Sequence, residues 1–184
     1  AVERSGFSIA GLLDRRDPAF VSGGVGIGAG MVLVGTTHGE VIALDVADGS
    51  ERWRSRVGTE VGAAPTAGAG KVFVQTIDDR VSALDADSGD LVWTYDSQMP
   101  LLTLRGTSAP VFDQGVLYTG FANGKVVALR GENGEPIWEQ RVMLPEGRSE
   151  LDRIVDVDAR VLLDGGSMYA LAYQGRVAAI SRRE

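Results

Sequence analysis

The 184-residue chain contains no cysteine, which excludes disulfides, thiolate metal sites and cysteine nucleophiles. It has one histidine, His38, in the turn-like stretch "TTHGE", with no serine and acid placed to make a hydrolytic set with it. Basic residues are outnumbered: 18 Lys and Arg stand against 25 Asp and Glu, for a net charge of −7. A phosphate backbone demands a cationic footprint, so nucleic acid is not an expected partner. No apolar run approaches the roughly 18 residues that a membrane-spanning helix needs. The opening "AVERSGF" lacks the basic start and apolar core of a signal peptide. Position 1 is not Met, which fits a mature or trimmed piece of a longer chain.

Proline is also scarce, with 6, but glycine is abundant, with 25. Many glycines between short apolar runs favour β-structure rich in turns. Those runs repeat. "GAGMVLVGTTHGEVIALDVADGSERW" (28–53) aligns without a gap on "GAGKVFVQTIDDRVSALDADSGDLVW" (68–93), an offset of 40. "DQGVLYTGFANGKVVALRGENGEPIW" (113–138) follows at an offset of 45. A fourth copy, "DGGSMYALAYQGRVAAIS" (164–181), follows at 51 and stops before its tryptophan. A period of 40–50 residues marks a solenoid, a propeller or an array.

Each copy holds two apolar runs and a third strand around its tryptophan. A further strand precedes each copy, at "GGVGI" (23–27), "AAPTA" (63–67), "SAPVF" (108–112) and "ARVLL" (159–163). Four short antiparallel strands per repeat, with no helix between them, describe a propeller blade. The expected fold is all-β, a partial β-propeller of about four blades from a probable eight-bladed ring. The chain is read as a single domain over 1–184. The blades fall at about 20–60, 61–100, 105–145 and 158–181, the last incomplete, with 1–19 as an inter-blade loop. Trp53, Trp93 and Trp138 share one register and are expected to fill the space between blades as core. An arc that stops short of a ring is expected to expose apolar side chains and strand edges at its ends.

"ALDVADGSERW" and "ALDADSGDLVW" resemble the repeat of the pyrroloquinoline-quinone (PQQ) propeller family, a motif that marks a blade turn and says little of function. "MPLLTLRGTSAPVF", "NGKVVAL", "ELDRIVDVDARV" and "MYALAYQGRVAAI", in this order and spacing, resemble the BamB family. Its members are lipoproteins of the bacterial outer-membrane β-barrel assembly machine. The resemblance implies an eight-bladed ring of which this chain is a middle portion. It further implies a place on the periplasmic face of the outer membrane. Attachment there is through an N-terminal lipid anchor not present in this chain. The chain departs from the family pattern at Ala159–Arg160, where small hydroxyl residues and a proline are expected.

The repeats differ chiefly in the links between them. From each tryptophan to the next repeat's glycine, the distance grows from 17 residues (53 to 70) through 22 (93 to 115) to 28 (138 to 166). Strands in a blade alternate in direction, so all these links emerge on one face of the disc. Functional residues favour loops held by a rigid scaffold. The second link contains "MPLLTLRG" and the third "LPEGRSELDRIVDVD". Leu101, Leu102 and Leu104 read as core of an inner strand, or else Leu102 and Leu104 stand outward beside Arg105 as an apolar patch with the composition of an interface hot spot. Asp156 and Asp158 share a side if their segment is extended. One of them pairing with Arg105, tying the two links together, is a further reading compatible with binding. The family resemblance implies that Leu102, Leu104, Arg105, Asp156 and Asp158 contact BamA, the barrel-inserting subunit, through its POTRA domains. Nascent outer-membrane proteins are a further candidate partner.

The PQQ repeat raises a rival reading, a PQQ-dependent quinoprotein dehydrogenase domain. That chemistry needs a calcium site, a carboxylate base and a quinone-stacking pocket, and no such set is apparent. "DADSGD" (85–90) hints at a calcium loop, but its glycine comes one position early and no flanking helices are expected. "GVGIGA" (24–29) leads into a strand rather than a helix, so it lacks the phosphate-binding mechanism. A third reading is a structural periplasmic propeller with other partners. The expectation is a non-enzymatic scaffold with no cofactor, no metal and no catalytic residues.

Overall fold

The computed structural model describes residues 21–97, 107–143, 154–173 and 176–183. Three four-stranded sheets and one three-stranded sheet follow one another along the chain. The first holds β1 (Val21–Gly28), β2 (Met31–Thr36), β3 (Glu40–Asp45) and β4 (Glu51–Arg56). The second holds β5 (Thr66–Gly68), β6 (Lys71–Gln75), β7 (Arg80–Asp85) and β8 (Leu91–Asp96). The third holds β9 (Val111–Asp113), β10 (Val116–Gly120), β11 (Lys125–Arg130) and β12 (Pro136–Arg141). The fourth holds β13 (Leu162–Asp164), β14 (Ser167–Ala172) and β15 (Arg176–Ser181). Every sheet pairs its strands in chain order, antiparallel throughout. Among the described residues no helix is long and apolar enough to cross a membrane.

Local chemistry accounts for this order. The second and third strands of each sheet are rich in Val, Ile, Leu and aromatic residues, which suit a packed pleated surface. The first hairpins close through two residues with positive φ: Ala29 and Gly30 at 52° and 71°, Ala69 and Gly70 at 49° and 70°, Gln114 and Gly115 at 48° and 85°. Positive φ at both central residues gives the twist that a two-residue hairpin favours. The third and fourth strands carry the same irregularity in each complete blade. Ala43 faces Trp53, then Leu44 faces Glu51, and the shift recurs at Ala83–Trp93 and Ala128–Trp138. This repeated bulge aims each tryptophan sideways, out of its own sheet.

The blades pack side by side, with β1 beside β5 and β5 beside β9. The approach is close: a Cβ on Gly26 would lie 1.9 Å from the Pro65 carbonyl oxygen. Each indole reaches the next blade and donates a hydrogen bond to a backbone carbonyl there. Trp53 Nε1 bonds Ala86 O at 2.8 Å, Trp93 Nε1 bonds Gly131 O at 3.1 Å, and Trp138 Nε1 bonds Arg182 O at 3.3 Å. Trp53 and Trp93 are buried, whereas Trp138 is only half-buried. The inner strands of the second, third and fourth blades begin three residues later than the sequence suggests, at Thr66, Val111 and Leu162, and that of the first begins two earlier, at Val21.

Burial separates the end of the arc from its middle. In β7 four consecutive residues are buried, because a blade lies on each side. In β14 burial alternates instead: Met168, Ala170 and Ala172 are buried, while Tyr169 and Leu171 are exposed. Leu162 and Val177 add to this bare side, each 65% exposed. The first blade departs from the expected bare end. Val25 and Ile27 of β1 are exposed, but Val34, Ile42 and Leu44 are buried and form their own cluster. We expect the isolated 184-residue chain to bind an apolar-surface dye and to gain scattering mass with concentration. A dye-silent monomer would show that the fourth blade's outer side is covered in solution.

Candidate partner-binding face

Antiparallel order places the β2–β3, β6–β7 and β10–β11 turns on one face of the arc, together with the links from each blade to the next. Gly39, Asp79 and Gly124 hold equivalent places in these turns, with φ of 74°, 57° and 76°. The carbonyl of each accepts a bond from the start of the link that follows: Val57 N at 2.8 Å, Ser97 N at 3.0 Å and Val142 N at 2.8 Å. Two links then lie against the turn they came from. Val61 N donates to Thr36 O and Val157 N to Phe121 O, both at 3.1 Å. The same two links accept from the turn of the next blade. Ile77 N donates to Glu60 O at 3.0 Å, and Tyr173 N to Asp156 O at 2.8 Å.

The junction between the second and third blades has a side-chain acceptor at this place. Ala122 N, the counterpart of Ile77 N and Tyr173 N, donates to the Asp79 carboxylate, at 3.1 Å to Oδ2 and 3.3 Å to Oδ1. Asp79 is 1% exposed. Burial pushes its carboxyl up to about 6; the Ala122 N–H opposes this, and the charges of Asp156 and Asp78 add to the rise. Four positions earlier, Gln75 is also fully buried. Its Nε2 donates to Gly120 O at 2.9 Å, and its Oε1 accepts from Thr119 Oγ1 at 2.5 Å. In the first and third repeats the places of Gln75 and Asp79 are both glycine: Gly35 and Gly39, Gly120 and Gly124. Sequence reasoning passed over these two residues. The signal was present as two departures from the repeat within five positions.

The two aspartates singled out in the sequence have different surroundings. Asp156 is fully buried and Asp158 is exposed. Of the two, only Asp158 is open to solvent. The reason is that Ile154, Val155, Asp156 and Val157 are all buried. The segment runs between the Phe121 carbonyl on one side and the Tyr173 N–H on the other. Leu102, Leu104 and Arg105 lie outside the described residues. His38 falls in the β2–β3 turn of the first blade. "DADSGD" is a strand connection in which Asp85 Oδ1 accepts from the N–H groups of Asp87 and Ser88. Among the described residues no three His, Cys, Asp or Glu side chains come together as a metal site.

Successive four-stranded sheets, packed blade against blade through their tryptophans, define a β-propeller with its inter-blade links gathered on one face. The family model described as "Outer membrane protein assembly factor BamB" matches residues 4–184. The chain belongs to that family. It is 45% identical over 167 residues to the outer membrane protein assembly factor BamB of Xanthomonas campestris, a match covering 91% of this chain and 41% of the relative. It is 42% identical over 168 residues to the Escherichia coli K12 protein of the same name, covering 91% of this chain and 43% of the relative. The chain thus spans about two fifths of the length of these relatives. The BamB crystal structure from Moraxella catarrhalis superimposes with a TM-score of 0.84 at 32% identity, covering 89% of this chain and 50% of that one. A quinohemoprotein alcohol dehydrogenase from Comamonas testosteroni superimposes with a TM-score of 0.70 at 19% identity, a likeness of fold alone.

Proposed function

We propose that the chain is the middle portion of a non-enzymatic scaffold that serves outer-membrane protein assembly at the periplasmic face of that membrane. In this reading it docks onto the POTRA domains of the barrel-inserting subunit BamA. Family membership over residues 4–184 carries the reading. The relatives are named as assembly factors rather than as enzymes, which supports a scaffold over a quinoprotein dehydrogenase.

The docking site proposed is the face from which the links emerge. Leu102 and Leu104 supply apolar anchors, Arg105 a cation beside them, and exposed Asp158 an acidic rim. Asp156, buried beneath, contributes through its backbone carbonyl, which ties the third link to Tyr173. Nascent outer-membrane proteins are a second class of partner for the same assembly role.

The test is capture of the chain on immobilised POTRA domains. Removing a hot-spot group costs about 2 kcal/mol or more, close to thirtyfold in affinity. Arg105→Ala, and separately Leu102→Ala with Leu104→Ala, are expected to abolish capture and leave the melting temperature nearly unchanged. Arg80→Ala serves as control: its guanidinium pairs with exposed Asp96 at 2.6 Å, and such a surface pair contributes about 0–1 kcal/mol. Unfolding of the leucine variant would make those residues core. Normal capture by a folded leucine variant would move the docking site elsewhere.

A further inference from the structure

In a β-propeller the innermost strand of every blade faces a central channel. Here those strands are β1, β5, β9 and β13, and each begins at the face that carries the links. By the repeat offsets, Gly24, Ala64, Ala109 and Arg160 hold one place in the four blades. The first two sit side by side: a Cβ on Gly24 would lie 3.7 Å from the Cβ of Ala64. Alternation points this place away from the packing between blades. Ala63 and Pro65 are buried on either side of Ala64, and Ser108 and Pro110 on either side of Ala109. In the fourth blade Val161 is buried and Arg160 is exposed.

Three of these residues have little or no side chain, and the fourth is an arginine. It lies where the chain departs from its family's pattern. The backbone just before it is fixed from the third blade, since Ser108 Oγ donates to Ala159 O at 3.0 Å. Among the described residues no acid pairs with the Arg160 guanidinium, exposed Asp158 two positions earlier included. A cavity of about 200 Å³ is lined by Gly26 of the first blade, Ala64 and Ala67 of the second, Ala109 of the third and Arg160 of the fourth. Arg160 is the one charged residue lining it among the described residues. Small-molecule pockets run to about 300–1,000 Å³, so this smaller cavity suits a single inserted side chain. A guanidinium presents a planar fork of donors that matches a carboxylate.

We propose that Arg160 is a carboxylate-binding residue at the mouth of the channel, and that the cavity beside it takes an acidic side chain of an extended peptide entering from the link face. The small residues at the sister positions leave the room that the incoming group fills. The whole chain carries a net charge of −7. An acidic segment therefore meets an unfavourable mean field over the chain and a favourable charge at this place. The inference goes beyond the POTRA reading and does not depend on it: it uses neither Leu102, Leu104 nor Arg105, and its test contains no BamA.

The test titrates the full-length protein with two short peptides of alternating glycine and glutamate or alternating glycine and glutamine. Both are acetylated and amidated, so that side chains carry the only charge. Arg160→Ala restores the residue of the second and third blades and is expected to keep the melting temperature. The glutamate peptide is expected to bind the wild type, with amide shifts at Ala64 and Ala109 beside the cavity. Its affinity is expected to fall at least roughly tenfold in Arg160→Ala, about 1.4 kcal/mol, and those shifts to vanish. The control is Arg183→Ala, an exposed arginine that follows β15 and does not line this cavity; it is expected to bind as the wild type does. Undiminished binding by Arg160→Ala, or no binding by the wild type, overturns the site. Equal binding of the glutamine peptide overturns the carboxylate as its ligand. An equal loss in Arg183→Ala would show general attraction to cations and overturn the assignment to Arg160.

Discussion

Trp93→Ala is expected to lower the stability of the domain by about 3–5 kcal/mol, the range for removing a buried large aromatic side chain. The indole is 9% exposed and packs beside Phe73, with ring centroids 5.9 Å apart. It also approaches Gly134 of the next blade so closely that a Cβ there would lie 2.6 Å from the ring. Its N–H donates to Gly131 O, so alanine would also leave a buried carbonyl without its partner. The loss therefore falls on two blades at once. Trp138→Ala is expected to cost less, because Trp138 is only half-buried and its bond to Arg182 O is longer, at 3.3 Å. Denaturant titrations of both variants check the ranking. A near-neutral Trp93→Ala would contradict the role of the indole as the joint between blades.

The second large effect concerns pH. The Asp79 carboxyl is raised from 3.8 to about 6 in the folded chain. Between about pH 4 and pH 6 the folded state therefore binds more protons than the unfolded state, and stability falls as pH rises through that window. A shift of roughly two units corresponds to about 3 kcal/mol of destabilisation once the group is fully charged. Below pH 4 the group is protonated in both states and contributes nothing. Asp79→Asn is accordingly expected to be more stable than the wild type at pH 7, by up to about 3 kcal/mol, with the difference closing as pH falls towards 4. Asp45, Asp48 and Asp85 have lowered values from turn hydrogen bonds, so their opposite effect lies at lower pH and cancels in the comparison. Melting curves of both proteins at pH 4, 5, 6 and 7 measure it. A difference that does not vary with pH would mean that Asp79 is not the desolvated acid described above.

Blade architecture was legible because it is written in repetition. Glycines at the hairpins, alternating apolar runs and one tryptophan per copy each have a local physical cause, and their recurrence marks the period. Strand starts in the inner position were less legible, since "AAPTA" and "SAPVF" carry weak strand chemistry and are held by the neighbouring blade. The burial of Asp156 was not legible at all. Its segment has no periodicity, and it is tied by backbone bonds to turns 35 residues earlier and 17 later, at Phe121 and Tyr173. Gln75 and Asp79 were visible in the alignment but were overlooked, because a search for repeats rewards agreement.

The indole joints also impose an order in time. Trp53 finds its acceptor 33 residues downstream, Trp93 finds one 38 downstream and Trp138 one 44 downstream. Each outer strand pairs within its own blade, but its indole lacks a hydrogen-bond acceptor until the following blade's last turn has been made. The growing end of the chain is thus always one unit behind in its packing, and each newly made blade completes its predecessor.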